Sequence, residues 1–234
     1  MRSLSVILLI LLFSCKREET SSIMDQLNYF PVDSGHWVVY KVDSVYFDVP
    51  AGRRDTYSFF LKESFAGSYL DNEDRTTILL HRLISDDLNS DFEMKDVWAI
   101  NVLGRSIEVV EENNRFIKLS FPLRRGGNWK GNSYIDTDKT DNSYLEDWTY
   151  EVSDIDIPVT IDSLIYDSCV TVEQGNISSD HFWYYGEEIY SKHIGLISKK
   201  RYNLRSNSSV KFADWMDSVQ FGWMVEYKAV DFKK

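Results

Sequence analysis

The sequence is poor in cysteine: two residues, Cys15 and Cys169, among 234. At most one intramolecular disulfide is available, so stability has to come from the core. Histidine is scarce as well. The four present, His36, His81, His181 and His193, show neither the i, i+4 nor the His-x-His spacing of a metal site. Glycines are scattered at turns, so there is no phosphate-cradling loop and no Gly-x-Ser-x-Gly nucleophile elbow. These gaps leave no catalytic residue, cofactor or metal ligand to nominate. Positive charge is also short: 26 Lys and Arg face 37 Asp and Glu, for a net charge of −11. Phosphate backbones are gripped by clustered cations, so nucleic acid is excluded as a partner. The nearest approach to a basic cluster is Lys199, Lys200 and Arg201 with Arg205.

No apolar run reaches the roughly 20 residues that a membrane-crossing helix needs. The longest, Leu4 to Phe13, stands at the N-terminus behind Arg2 and ends in Leu12-Phe13-Ser14-Cys15. A short basic start, a short apolar stretch and a small residue before a cysteine resemble a bacterial lipoprotein signal. Residues 1–14 are therefore expected to be a signal peptide, with Cys15 as the lipidated first residue of the mature protein. Two or more acyl chains hold a protein stably on a bilayer. Lys16 to Ser22 is polar and lacks apolar periodicity, so residues 15–26 read as a lipidated start and flexible tether. The expected location is the cell envelope, as an outer-membrane lipoprotein on the periplasmic or the surface side.

Residues 27–234 then form a single domain. Aromatic residues make up 15% of the chain, and apolar residues mostly alternate with polar ones, as half-buried strands require. Strands are predicted over residues 37–47, 55–65, 75–84, 97–102, 106–111, 116–121, 148–155, 169–173, 182–190, 195–203 and 222–231. Segments such as Asp71-Asn72-Glu73-Asp74 and Gln174-Gly175-Asn176 supply reversals. A short helical turn is possible over 207–219. The fold class is all-β: one antiparallel, strongly curled sheet, barrel-like or sandwich, of about ten or more strands. One echo runs through the chain. Phe30-Pro31, Gly35 and Trp37 recur as Phe121-Pro122, Gly126-Gly127 and Trp129, which would fit two related half-sheets or two similar turns.

Asn28-Tyr29-Phe30-Pro31 with Gly35, Trp37 and Tyr40, Glu111 to Pro122, Trp129 to Asn132, Asp167 to Val172 and Tyr190 to Ile197 carry a resemblance. Together they are similar to a group of uncharacterised Bacteroidota outer-membrane lipoproteins, over nearly the whole mature chain. His193 stands where that group usually has glycine. Lys16 to Glu19 also resembles the short signal that sends such lipoproteins to the cell surface. The resemblance implies an anchored envelope protein and brings no catalytic motif.

Three local features invite a functional reading. Asp136 to Asp141 alternates oxygen ligands like a calcium loop, but it lacks the central glycine and the closing glutamate, and Lys139 would repel a cation. His181-Phe182-Trp183-Tyr184-Tyr185-Gly186 could stack sugar rings, although alternation sends Phe182 and Tyr184 to one face and Trp183 and Tyr185 to the other. Cys169 sits in an apparent strand and reads as a buried, inert thiol. The expected function is a non-enzymatic binding or assembly module, tied to the membrane by lipid on Cys15, with an envelope protein or a glycan as ligand. Two alternatives stay open: a lipid-handling half-barrel with an apolar cavity, and a hydrolase built on a pair of carboxylates.

Overall fold

The computed structural model describes residues 22–211 and 214–233; the signal segment, Cys15 and tether residues 16–21 lie outside the described residues. Twelve strands form one antiparallel sheet. They are β1 (Trp37–Asp48), β2 (Arg53–Leu70), β3 (Thr76–Ser85), β4 (Glu93–Val102), β5 (Ser106–Glu111), β6 (Asn114–Ser120), β7 (Asn128–Trp129), β8 (Tyr150–Ile161), β9 (Leu164–Ser178), β10 (Phe182–Ser191), β11 (Gly195–Arg205) and β12 (Phe221–Lys233). Each strand pairs with the next in sequence except β6 with β7, and β12 pairs with β1, so the sheet's two edges are β6 and β7. Those edges meet. The Ile117 N–H donates to the Gly131 carbonyl at 2.7 Å, and the Trp129 indole donates to the Ile117 carbonyl at 2.8 Å. The result is a nearly closed barrel, in which pairing removes most exposed edge.

The sheet consists of two six-stranded meanders, β1–β6 and β7–β12. The Phe-Pro…Gly…Trp echo is in register with them: Trp37 opens β1 and Trp129 closes β7, the first strand of each half. Most strands run longer than alternation alone suggests. β2 extends to Leu70 and β9 from Leu164 to Ser178, beyond the stretches that alternate cleanly. The helical turn expected in 207–219 is present as α2 (Trp215–Ser218). Residues 23–26, grouped with the tether by composition, form a short helix, α1 (Ile23–Gln26). It is held because Gln26 exchanges two hydrogen bonds with the Leu123 backbone, at 2.9 and 2.7 Å. Lys192, which pairs with Asp25 and Asp156 at 2.9 Å each, adds a second clasp.

A barrel of twelve strands is wide, and barrels above about eight strands enclose space that side chains from the wall alone do not fill. Two segments fill it here. At the near mouth, where β1 begins, the chain from α1 to Gly35 packs Tyr29, Phe30 and Pro31 over the opening, with Pro31 against Gly195. At the far mouth, where β1 ends, residues 130–149 fold inward as a plug and bury Ile135, Leu145 and Trp148. Asn142 in the plug and Asn114 at the start of β6 bond through their side-chain amides.

Trp148 explains two glycines. Gly175 on β9 and Gly186 on β10 are register partners. A Cβ at Gly186 would lie 2.5 Å from the Trp148 ring, and one at Gly175 would lie 2.7 Å from it. The bare backbone pair is the seat of the indole, an example of glycine marking a close approach within a strand. On the opposite face of the sheet, Phe47, Tyr202 and Leu204 are covered by Val210, Trp215 and Val219 of the segment that contains α2.

Candidate functional site

The register stacks the far half of the barrel in rows. The rim row runs Tyr46 (β1), Trp223 (β12), Asn203 (β11), Tyr184 (β10). One row deeper are Val225, Arg201, Gly186 and Gly175. Two residues deeper again stand Tyr227, Lys199 and Glu188. Residues two apart on a strand share a face, so the three rows point the same way and form a column.

The lower rows hold a buried charge network. Lys118 pairs with Glu111 and, at 2.7 Å, with Glu188. Lys199 reaches Glu111 at 3.1 Å and Glu188 at 3.5 Å. Arg201 stands 3.8 Å from Glu111 and donates to the Gln174 amide oxygen at 3.0 Å. Tyr190 donates to Glu188 at 2.5 Å. All five charged groups are buried. Burial alone would raise the carboxylates' pKa values, but Lys118, Lys199 and Arg201 more than reverse this and hold Glu111 and Glu188 below the usual range. Toward β2 and β3 the column continues. Arg82 bonds Glu63 at 3.0 Å, Asp96 at 2.9 Å and the Tyr227 hydroxyl at 3.2 Å, with its guanidinium 3.6 Å from the Trp98 ring. A cavity of about 50 Å³ lies between the two groups of charges, under Phe30 and Pro31. It has room for no more than a few water molecules.

Above the network the far mouth opens into a groove of about 420 Å³. Tyr144 from the plug stands in it. Its ring lies edge-on to Trp148 below (5.7 Å), Trp223 (5.8 Å) and Tyr184 (6.1 Å). Burial raises the pKa values of Tyr144 and Tyr184. Tyr46, 41% exposed, forms the outer wall. The polar lining is Asp48, Thr140, Asp141, Ser143, Asn203 and Arg205, and the buried side-chain oxygen of Asn203 accepts no hydrogen bond among the described residues.

The residues singled out in the sequence are dispersed. Cys169 is buried at the near end of β9 and donates to the Tyr166 carbonyl, and burial pushes its thiol pKa up. The His36 ring is buried against the Ile194 carbonyl at 2.9 Å, and His193 occupies a turn with φ of 66°. Asp136 is paired with Lys139 in a turn, and no group of three or more His, Cys, Asp or Glu among the described residues could hold a metal ion. The aromatic block divides as alternation requires. Trp183 packs on Tyr185 and Tyr202 outside the barrel, on the face away from the groove. Tyr184, on the other face, is the residue that lines the groove. The apparent basic cluster splits likewise: Lys199 and Arg201 point inward, while Lys200 pairs with Glu187. Sequence reading missed Glu111, Lys118 and Glu188. Their signal is a charge inside an apolar stripe, as in Ile107-x-Val109-x-Glu111.

Neither a protein-family model nor a curated protein matches the chain. Solved structures with a similar course include a chain from Bacteroides fragilis, provisionally described as an exported protein with a YMCC-like fold. It shares 11% identity at a TM-score of 0.46, over 88% of this chain and 98% of that one. Another, from Parabacteroides distasonis and provisionally described as a lipoprotein, shares 10% identity at a TM-score of 0.38, again over 88% and 98%.

Proposed function

We propose that the chain is a lipid-anchored protein of the bacterial cell envelope, an outer-membrane lipoprotein held by acyl chains on Cys15, whose barrel is a non-enzymatic binding or assembly module. The observation that carries this reading is the filled barrel. An acyl carrier needs an apolar cavity of several hundred Å³, whereas the space here is about 50 Å³, and Glu63, Glu111, Lys118, Glu188 and Lys199 interrupt its otherwise apolar lining. A carboxylate hydrolase needs two carboxyl groups open to substrate. Glu111 and Glu188 are buried and satisfied by three cations. Aromatic concavity is found instead at the far mouth, while the chain enters the barrel at the near mouth through α1. An anchor at Cys15 therefore suits a module that turns its groove away from the bilayer.

The test is metabolic labelling with radioactive palmitate, comparing wild type with Cys15→Ala. The expected result is label in the wild type only, with the variant leaving the membrane fraction. Label retained by the variant, or wild type found wholly soluble, overturns the reading.

A further inference from the structure

The far-mouth groove has the chemistry of a saccharide site, and we propose that its ligand is a neutral oligosaccharide. The proposal deepens the binding-module reading and rests on it. Sugar rings offer two kinds of surface. Axial C–H groups form an apolar face that stacks on aromatic rings, and equatorial hydroxyls form an edge that both donates and accepts hydrogen bonds. The groove offers the complement of both. Tyr184, Trp223, Tyr144 and Tyr46 supply aromatic surface from three strands' worth of rim and the plug. Asp48 and Asp141 accept from hydroxyls, Arg205 donates to them, and Thr140 and Ser143 add hydroxyls of their own. The volume, about 420 Å³, is inside the range of roughly 300–1,000 Å³ that small-ligand sites occupy.

Charge selects among sugars. Two carboxylates and one guanidinium leave the lining net negative, on a chain of net charge −11. Uronate or sulfate groups would be repelled, whereas uncharged hexoses, pentoses and N-acetylhexosamines would not. The floor is also prepared. Trp148 is fixed by its glycine seat, and Tyr144 rests on Trp148, so the aromatic surface is ordered before a ligand arrives.

The experiment uses the full-length lipoprotein in detergent on an array that carries neutral hexose, pentose and N-acetylhexosamine oligosaccharides, with uronate and sulfate oligosaccharides as a second set. Binding to members of the neutral set is expected. Tyr46→Ala, at an exposed rim position, and Trp223→Ala should each weaken it by about ten-fold, the loss of one stacking contact. Tyr69→Ala, equally exposed but outside the groove, should leave it unchanged. Circular dichroism separates lost binding from lost fold, and Tyr46→Ala serves where Trp223→Ala unfolds. Folded wild type that binds no neutral oligosaccharide overturns the proposal, as does binding confined to the anionic set or unaffected by Tyr46→Ala. None of these outcomes bears on palmitate labelling, so the anchored-module reading stands or falls separately.

Discussion

Replacing Gly186 by alanine tests how the barrel is filled. The new methyl would sit 2.5 Å from Cζ3 and 2.7 Å from Cη2 of Trp148, against 3.4–4 Å for ordinary contact. Trp148 is fully buried, so the indole has to shift by about an ångström or the strands have to spread. Overpacking of this kind costs roughly 1–3 kcal/mol. For a domain of this size that lowers Tm by about 2–12 °C. The control is Gly67→Ala, whose methyl meets nothing within 4 Å. Thermal unfolding by circular dichroism reads both. A further variant sharpens the cause. Trp148→Phe removes the ring atoms that clash, so in Gly186→Ala/Trp148→Phe the two costs should add to less than their sum, by about 1 kcal/mol. Equal Tm values for Gly186→Ala and Gly67→Ala would refute the seat, and strict additivity would refute the clash.

Other consequences follow from the buried charges and turns. Lys118→Met leaves Glu111 and Glu188 buried with fewer cations and should cost about 3–5 kcal/mol in urea unfolding. Glu111 has a folded pKa below its unfolded value near 4.3, so its contribution is complete above that pH and fades as acid protonates it. Burial raises the pKa of Glu63 and works in the opposite sense. The readout is therefore the stability gap between wild type and Glu111→Gln, which should narrow as pH falls from about 5 to 3. His193→Gly should stabilise by up to about 1 kcal/mol, since histidine is held there at φ of 66°, where glycine is unstrained. Cys169 should resist a thiol reagent in the native state and react on unfolding, as its burial and raised pKa require.

The all-β class and most strand centres were legible because alternation is a local signal, and it survives wherever one face of a strand is buried. It failed at strand ends. β9 continues through Gln174, Gly175 and Asn176, which sequence reads as a turn, because Gly175 is there to receive Trp148 from a plug 27 residues earlier in the chain. Nothing near Gly175 announces that partner. The functional surface was half legible. The aromatic block at 181–186 drew attention, and alternation divided it correctly, yet which face met the groove depended on Tyr144 and Trp223 arriving from distant segments. The charge network was hidden for a similar reason. Each of Glu111, Lys118, Glu188 and Lys199 looks like an ordinary surface charge until barrel closure brings four strands around one axis.

The central claim is one of polarity: anchor at the near mouth, groove at the far one. Along β1, Trp37 to Asp48 spans about 36 Å of strand, or some 28 Å of barrel height at a tilt near 40°. The direct measurement places a fluorophore through cysteine at Met24 or at Tyr46, reconstitutes in vesicles the protein extracted from membranes, and compares quenching by brominated lipids. Cys169 is buried and stays unlabelled in the native protein. The account predicts stronger quenching at residue 24 than at residue 46. Equal quenching, or stronger quenching at residue 46, would contradict it.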